Sequence, residues 1–265
     1  MDRPNGRARL PSSRSENGRA RLLSSRFSLS GNFALLGVPH FTSQVSGIGI
    51  RDDPMKLEDR MPIFVRARNV IEELGVPYVV GGGIAVGVYD HQRPTKNIDF
   101  FIPEECAEEA LEGLHDAGFV AKRSDPRWLY QSWSNDTLVD LVFNINVSRA
   151  TIPVDDEMIA RGMEKDILGE KFRVISPEDL VVVKVLVMHE NRADWWDAIT
   201  VMRSPRVSLD WHAIMRYAPA DMPKFLAFLL FVRSRHWSER LWPDWVLREA
   251  WEKVGEQLGL APVPA

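Results

Sequence analysis

The chain has 265 residues, 45% of them hydrophobic, which suits one or two domains with a real core; no apolar run approaches the roughly 20 residues that span a bilayer. A single cysteine, Cys106, excludes an internal disulfide and suits a reducing compartment such as the cytoplasm. The net charge of -4 hides a first stretch, to Asp53, with eight arginines, no lysine and four acids, so the remainder is near -8, an acidic balance that argues against general duplex nucleic-acid binding.

Residues 1–52 differ from the rest. The words NGRARLPSSR and NGRARLLSSR recur at Asn5 and Asn17, and a segment this rich in Arg, Ser and Gly buries little. Three readings are open: a disordered tail, an Arg/Ser-rich targeting peptide, or translated upstream sequence with the start at Met55 or Met61. Asp53 and Pro54 then suit a helix cap and first turn, and Leu57, Met61, Phe64, Ala67, Ile71 and Leu74 recur at helical spacing up to Gly75. Tyr78, Val79 and Val80 form a β-type run that enters the triplet Gly81, Gly82 and Gly83, followed by a short helix, a basic-polar loop and a second strand over 97–102. A helix is expected over 104–117, where Glu104, Glu105, Glu108 and Glu109 disfavour a thiolate at Cys106. Strands are expected over 119–123, 128–133 and 138–144, and a hairpin over 164–174 that turns at Leu168 and Gly169.

Ser176 followed by Pro177, Glu178 and Asp179 is a strong helix start. The helix over 180–189 is apolar nearly all round and should be buried. Further helices are expected over 195–202, 209–217, 222–236 and 243–258, packed by Trp211, Trp237, Trp242, Trp245 and Trp251. The expected fold is α+β: a mixed β-sheet with flanking helices over 53–175, then a helical bundle over 176–260.

The chemistry concentrates between Tyr78 and Asp99. A turn without Cβ atoms can aim backbone N–H groups at an anion, and a helix start behind it adds a positive dipole end. Side chains two apart share a strand face, so Asn97 and Asp99 point one way while Ile98 and Phe100 point the other. Asp140 stands in an apolar strand, where a carboxylate is costly to bury unless it is paired or bound to a cation; an edge position facing water is the plainer reading. Lys184 lies in an equally apolar helix and needs a carboxylate, a phosphate or a route to water. Arg93 and Lys96 are surface bases that could also meet phosphates. The glycines fit neither a P-loop nor a dinucleotide fingerprint, no His/Cys set has zinc spacing, and no serine sits in a G-x-S-x-G elbow. His189 is read as a histidine favoured by a helix C-terminus.

The run VGGGIAVGVYDHQRPTKNIDFFI resembles the signature of the nucleotidyltransferase superfamily with the polymerase-β-type core. Within it the run looks like the prokaryotic branch that includes AbiEii-type toxins and MNT-type antitoxins. Gly82 and Gly83 match the glycine pair, Arg93 and Thr95 the loop, Asp99 the second aspartate and Asp140 a third from a later strand. Ser176 to Leu180 with Lys184, and Arg192-Ala193-Asp194-Trp195-Trp196-Asp197, also resemble that branch. The resemblance implies Mg²⁺ and an NTP substrate: Asp99 and Asp140 would hold the metal, and Gly82, Gly83, Arg93, Thr95 and Lys184 the nucleotide. A nucleoside monophosphate would pass to a hydroxyl of a tRNA end, a protein or a small molecule. Asn97 departs from the pattern, because it stands where the family has its first aspartate. It would be a weak co-ligand, and loss of that charge should lower activity by a factor on the order of 10². A binding-only relative, one half of a toxin–antitoxin-like pair, is the competing expectation.

Overall fold

The structure is a computed structural model that describes residues 56–90, 95–147, 150–189, 194–236 and 238–259. The duplicated N-terminal words, the Asp53–Pro54 cap, Arg93, Arg192 and Trp237 lie outside the described residues.

Helix α1 (Leu57–Glu73) buries Met61, Phe64, Ala67 and Ile71, and ends before Gly75, whose φ of +70° lets the chain reverse. Strand β1 (Val79–Val80), helix α2 (Gly82–Tyr89) and strand β2 (Asn97–Phe101) follow. A single 3₁₀ turn leads into α3 (Ala107–Asp116). Strands β3 (Val120–Asp125), β4 (Leu129–Ser134) and β5 (Thr137–Val142) make an antiparallel meander. A small separate hairpin, β6 (Asn144–Asn146) and β7 (Thr151–Pro153), and helix α4 (Asp156–Arg161) precede strands β8 (Met163–Ile167) and β9 (Glu170–Val174). The expected hairpin turn is present, with Leu168 and Gly169 both at positive φ, 55° and 87°. Neither the small hairpin nor α4 was expected. They are three- and six-residue elements, too short to develop a period.

The seven strands form one mixed sheet in the order β3-β4-β5-β2-β1-β9-β8. Pairing is parallel for β2 with β5 and for β1 with β9, and antiparallel elsewhere. Phe100 meets Tyr78 edge-on, with ring centroids 5.3 Å apart, and the Tyr78 hydroxyl donates to Glu72 on α1. The apolar face of β2 is therefore the one that α1 covers, and Asn97 and Asp99 take the other face. Arg60, fully buried on α1, donates to the Asp136 carbonyl at 2.7 Å and to the Thr137 hydroxyl at 3.2 Å, which ties α1 to the start of β5.

The second half is helical: α5 (Pro177–Leu186), α6 (Trp195–Arg203), α7 (Trp211–Tyr217), α8 (Met222–Arg235) and α9 (Asp244–Leu258). Ser176 caps α5 as expected, its hydroxyl accepting from the Asp179 N–H at 3.1 Å. Nine of the ten residues of α5 are buried, and it packs on α2, α6, α7 and α8. The helix stops at Leu186, short of the expected His189, so that histidine is not a helix-terminal residue. Trp211 and Trp242 are buried and meet edge-on, but Trp251 is half exposed and does not pack the bundle as expected. One hydrophobic core runs from Met61 through the sheet to Ala250. No helix among the described residues is long and apolar enough to cross a membrane.

Candidate active site

The site is built where β1, α2, β2 and β5 meet. The Gly81 N–H donates to the Asp99 carbonyl at 2.9 Å, which ties the glycine turn to β2 before α2 starts. A Cβ on Gly81 would lie 2.2 Å from the Phe101 ring, so the turn needs glycine for space. Gly82 needs it twice. Its φ is +61°, and a Cβ there would sit 1.8 Å from Asp99 Oδ2. The first intrahelical bond of α2 runs from Ala85 to the Gly81 carbonyl, so the N–H groups of Gly82, Gly83 and Ile84 precede the helix's own bonding.

Parallel pairing sets Asp99 directly opposite Asp140, and the antiparallel partner of Asp140 on its other side is Gln131 of β4. Three polar residues thus form a row across the sheet, with Asn97 one pleat away. The Asn97 amide joins the acids: Nδ2 donates to Asp140 Oδ2 at 2.8 Å and to Asp99 Oδ1 at 3.1 Å. Its Oδ1 accepts from the Thr95 hydroxyl at 3.2 Å. Gln131 Nε2 donates to Asp140 Oδ1 at 2.8 Å, and the Ser124 hydroxyl holds Gln131 Oε1 at 2.6 Å. Asp140 is buried, at 7% exposure, which answers the plainer reading of an acid facing water.

Asn97, Asp99 and Asp140 line a cavity of about 380 Å³ together with Gly82, Trp128, Asn144, Lys184 and His189. Gly83 and Thr95 border a different cavity, of about 480 Å³, whose other lining includes Asp90, Lys165 and Arg206. The two halves of the expected nucleotide-binding set are therefore split between neighbouring spaces. Lys184, only 4% exposed, finds its partners at the start of α6: its Nζ is 2.9 Å from Asp197 Oδ2 and 3.3 Å from Oδ1 of Asp194, the residue before the helix. The Asp194 and Asp197 of the expected motif are thus the carboxylates that a lone ammonium on this helix requires. Away from the cavity, burial first and then Glu105 and Glu109 push the Cys106 thiol up, which agrees with an unreactive cysteine.

Gln131 and His189, like Ser124, Trp128 and Asn144, are not among the expected site residues. Gln131 has no local signal, because only the strand register reveals that it faces Asp140. His189 carries a signal, a titratable ring close to Asp194, but the apolar run through Met188 points to a helix end there, and the helix stops three residues earlier.

The donor set fits a hard divalent cation. Asp99 and Asp140 are in register, the amide of Asn97 lies beside both, and the glycine cradle next to Asp99 is space that any other residue would fill. No cluster of three or more His, Cys, Asp and Glu placed for a metal occurs among the described residues.

No curated protein matches the chain. Among solved structures it is similar to the antibiotic-resistance factor ANT(2'')-Ia, at 18% identity over 68% of this chain and 95% of that one, with a TM-score of 0.39. It is similar to the lincosamide antibiotic adenylyltransferase LnuA, at 14% identity over 56% and 98%, with a TM-score of 0.40. An antigenic nucleotidyltransferase-like protein from Paracoccidioides brasiliensis shows 15% identity over 73% and 92%, with a TM-score of 0.42. Residues 61–221, more than half of the chain and the span that carries every site residue described above, match the family described as nucleotidyl transferase of unknown function (DUF2204), and the chain belongs to that family.

Proposed function

We propose that the chain transfers a nucleoside monophosphate from an NTP to an acceptor hydroxyl, with Asp99 and Asp140 holding Mg²⁺. The single observation that carries this is the register: two carboxylates 41 positions apart in sequence stand opposite one another beside the Gly82 turn, in one cavity. Asp99 and Asp140 would be the metal ligands, with Asn97 as a third and weaker one. Bound there, Mg²⁺ supplies neutralisation of the charge that spreads over the transferring phosphate. The N–H groups of Gly82 and Gly83 at the start of α2 hold the triphosphate. Asp140 takes the acceptor's proton, and Gln131 orients its carboxylate. The acceptor oxygen forms a bond to the α-phosphorus, the bond to the bridging oxygen breaks, and pyrophosphate leaves. Lys184, Arg93 and Thr95 complete the proposed nucleotide-binding set, on the resemblance of their segments to the AbiEii and MNT branch. We place the chain beside that branch, and a cognate antitoxin-like partner follows from the placement.

A second reading has its own observation. The Asn97 amide already satisfies one oxygen of each carboxylate, as a binding-only relative would need. One experiment separates the two. The purified chain is incubated with each labelled NTP, Mg²⁺, and either total RNA, protein or a mixture of small hydroxyl compounds. Label transfer that Asp99→Ala abolishes establishes the enzyme. Tight NTP binding without transfer establishes the second reading, and absence of both across Mg²⁺, Mn²⁺ and Ca²⁺ overturns each.

A further inference from the structure

The Thr95 hydroxyl stands between two acceptors. Its Oγ1 lies 3.2 Å from Asn97 Oδ1 and 3.1 Å from the main-chain oxygen of Asn97. A hydroxyl has one proton to give and two lone pairs to accept with. In the orientation described, that proton is shared between the two oxygens while the amide nitrogen faces Asp99 and Asp140. Turn the amide by half a rotation and the roles change. Asn97 Nδ2 then points at Thr95 Oγ1, which accepts from it and gives its proton wholly to the main-chain oxygen. Asn97 Oδ1 now faces the carboxylates, which is unfavourable beside two anions alone and favourable when a hard cation sits among the three oxygens.

We propose that Thr95 and Asn97 form an amide switch that couples cation binding to a flip of the Asn97 side chain. Without a divalent cation the amide nitrogen cross-links Asp99 and Asp140 and holds them together. With one bound, the amide turns and its oxygen becomes a ligand. Thr95 is the pivot because, among the described groups that contact the amide, it is the one that both donates and accepts, so its end is satisfied in either orientation. This rests on the reading of the cleft as a divalent-cation site. It adds that position 97 protects the site when the metal is absent, where an aspartate would add a third negative charge.

Counting bonds at the pivot gives the size of the effect. A valine at 95 removes one hydrogen bond from the unflipped form, where one proton is shared. It removes two from the flipped form, where the hydroxyl donates one and accepts one. The net loss of about one hydrogen bond against the flipped form weakens cation affinity by about five- to tenfold.

The test titrates Mn²⁺ into the full chain without nucleotide, by calorimetry or by the spin-resonance signal of free Mn²⁺, for wild type, Thr95→Val, Thr95→Ser and Asn97→Asp. In parallel, the side-chain NH₂ resonances of Asn97 are followed by NMR as Mg²⁺ is added to the wild type, which needs no variant to fold. The switch predicts that Asn97→Asp binds tightest, that Thr95→Ser matches wild type, that Thr95→Val binds about five- to tenfold more weakly, and that the Asn97 resonances move on saturation. Wild type that binds Mn²⁺ with unmoved Asn97 resonances, or with Thr95→Val as tight as wild type, overturns the switch and leaves the cation site standing. Binding by Asn97→Asp alone also overturns it, since the amide then never turns. Failure of every variant to bind overturns the cation site itself.

Discussion

Gly82 carries two separate demands, a left-handed backbone and contact with a carboxylate, and they make opposite predictions for different glycines. At Gly82→Ala the φ of +61° costs about 1 kcal/mol, and the new methyl must displace Asp99 Oδ2, 1.8 Å away. The expected outcome is a lower unfolding temperature together with a fall of more than tenfold in the proposed transfer. Gly255 sits inside α9 with nothing within 4 Å of its missing Cβ. Gly255→Ala should therefore stabilise the chain, by about 0.5–1 kcal/mol, and leave transfer unchanged. Thermal unfolding of both variants checks the pair, and equal shifts would show that the cradle does not distinguish them. The same residues show what was readable beforehand. The glycine turn and the shared face of Asn97 and Asp99 follow from local rules, a missing Cβ and a period of two. Gln131 was not readable, because its place beside Asp140 depends on a register that no local pattern encodes.

At the scale of elements, α5 holds a lysine in the middle of an apolar helix because Asp194 and the first turn of α6 present two acids to it. Lys184 is 4% exposed, while Asp194 and Asp197 keep 15% and 17% exposure. Loss of one partner from a fully buried pair costs about 3–5 kcal/mol, and the residual exposure of both acids lowers that here to about 2 kcal/mol. Lys184→Met keeps the volume of the side chain and should cost that amount in chemical denaturation. A double-mutant cycle with Asp197→Asn should give a coupling of about 1 kcal/mol or more. A coupling near zero would mean that the contact contributes nothing to stability. The start of α5 was legible because Ser176, Pro177 and the two acids act within one turn. Its end was not, since Val187, whose N–H still bonds the Val183 carbonyl as the cap, and Met188 continue the apolar pattern past the last helical residue, Leu186. The β6–β7 hairpin and α4 escaped for the related reason that three to six residues do not establish a period.

Across the molecule, Tyr89 is a junction between the sheet-forming stretch and the helices. It ends α2, its hydroxyl donates to the Ile175 carbonyl between β9 and α5, and its own carbonyl accepts from Ser204 just after α6. Burial first, then the nearby Glu178 and Asp179, push its hydroxyl well above the ordinary value of 10. The sign of the pH effect follows from that shift. Below pH 10 both folded and unfolded chains keep the proton, and the buried hydrogen bond contributes in full. Above pH 10 the unfolded chain releases the proton and the folded chain does not, so the contribution falls as pH rises, by at most about 1.4 kcal/mol per pH unit. Tyr78 is pushed in the same direction, by burial and by Glu72, so the wild type declines through both groups. Tyr89→Phe isolates one of them. At pH 8 it should cost about 1–2 kcal/mol, because the Ile175 carbonyl loses its donor. Between pH 8 and pH 11 the gap between wild type and variant should close by about 1.4 kcal/mol, because only the wild type pays for keeping that proton. Urea unfolding of both proteins at the two pH values measures the gap directly. A gap of constant size would mean that Tyr89 ionises as easily in the folded chain as in the unfolded one, and that the junction is wetter than its 4% exposure implies.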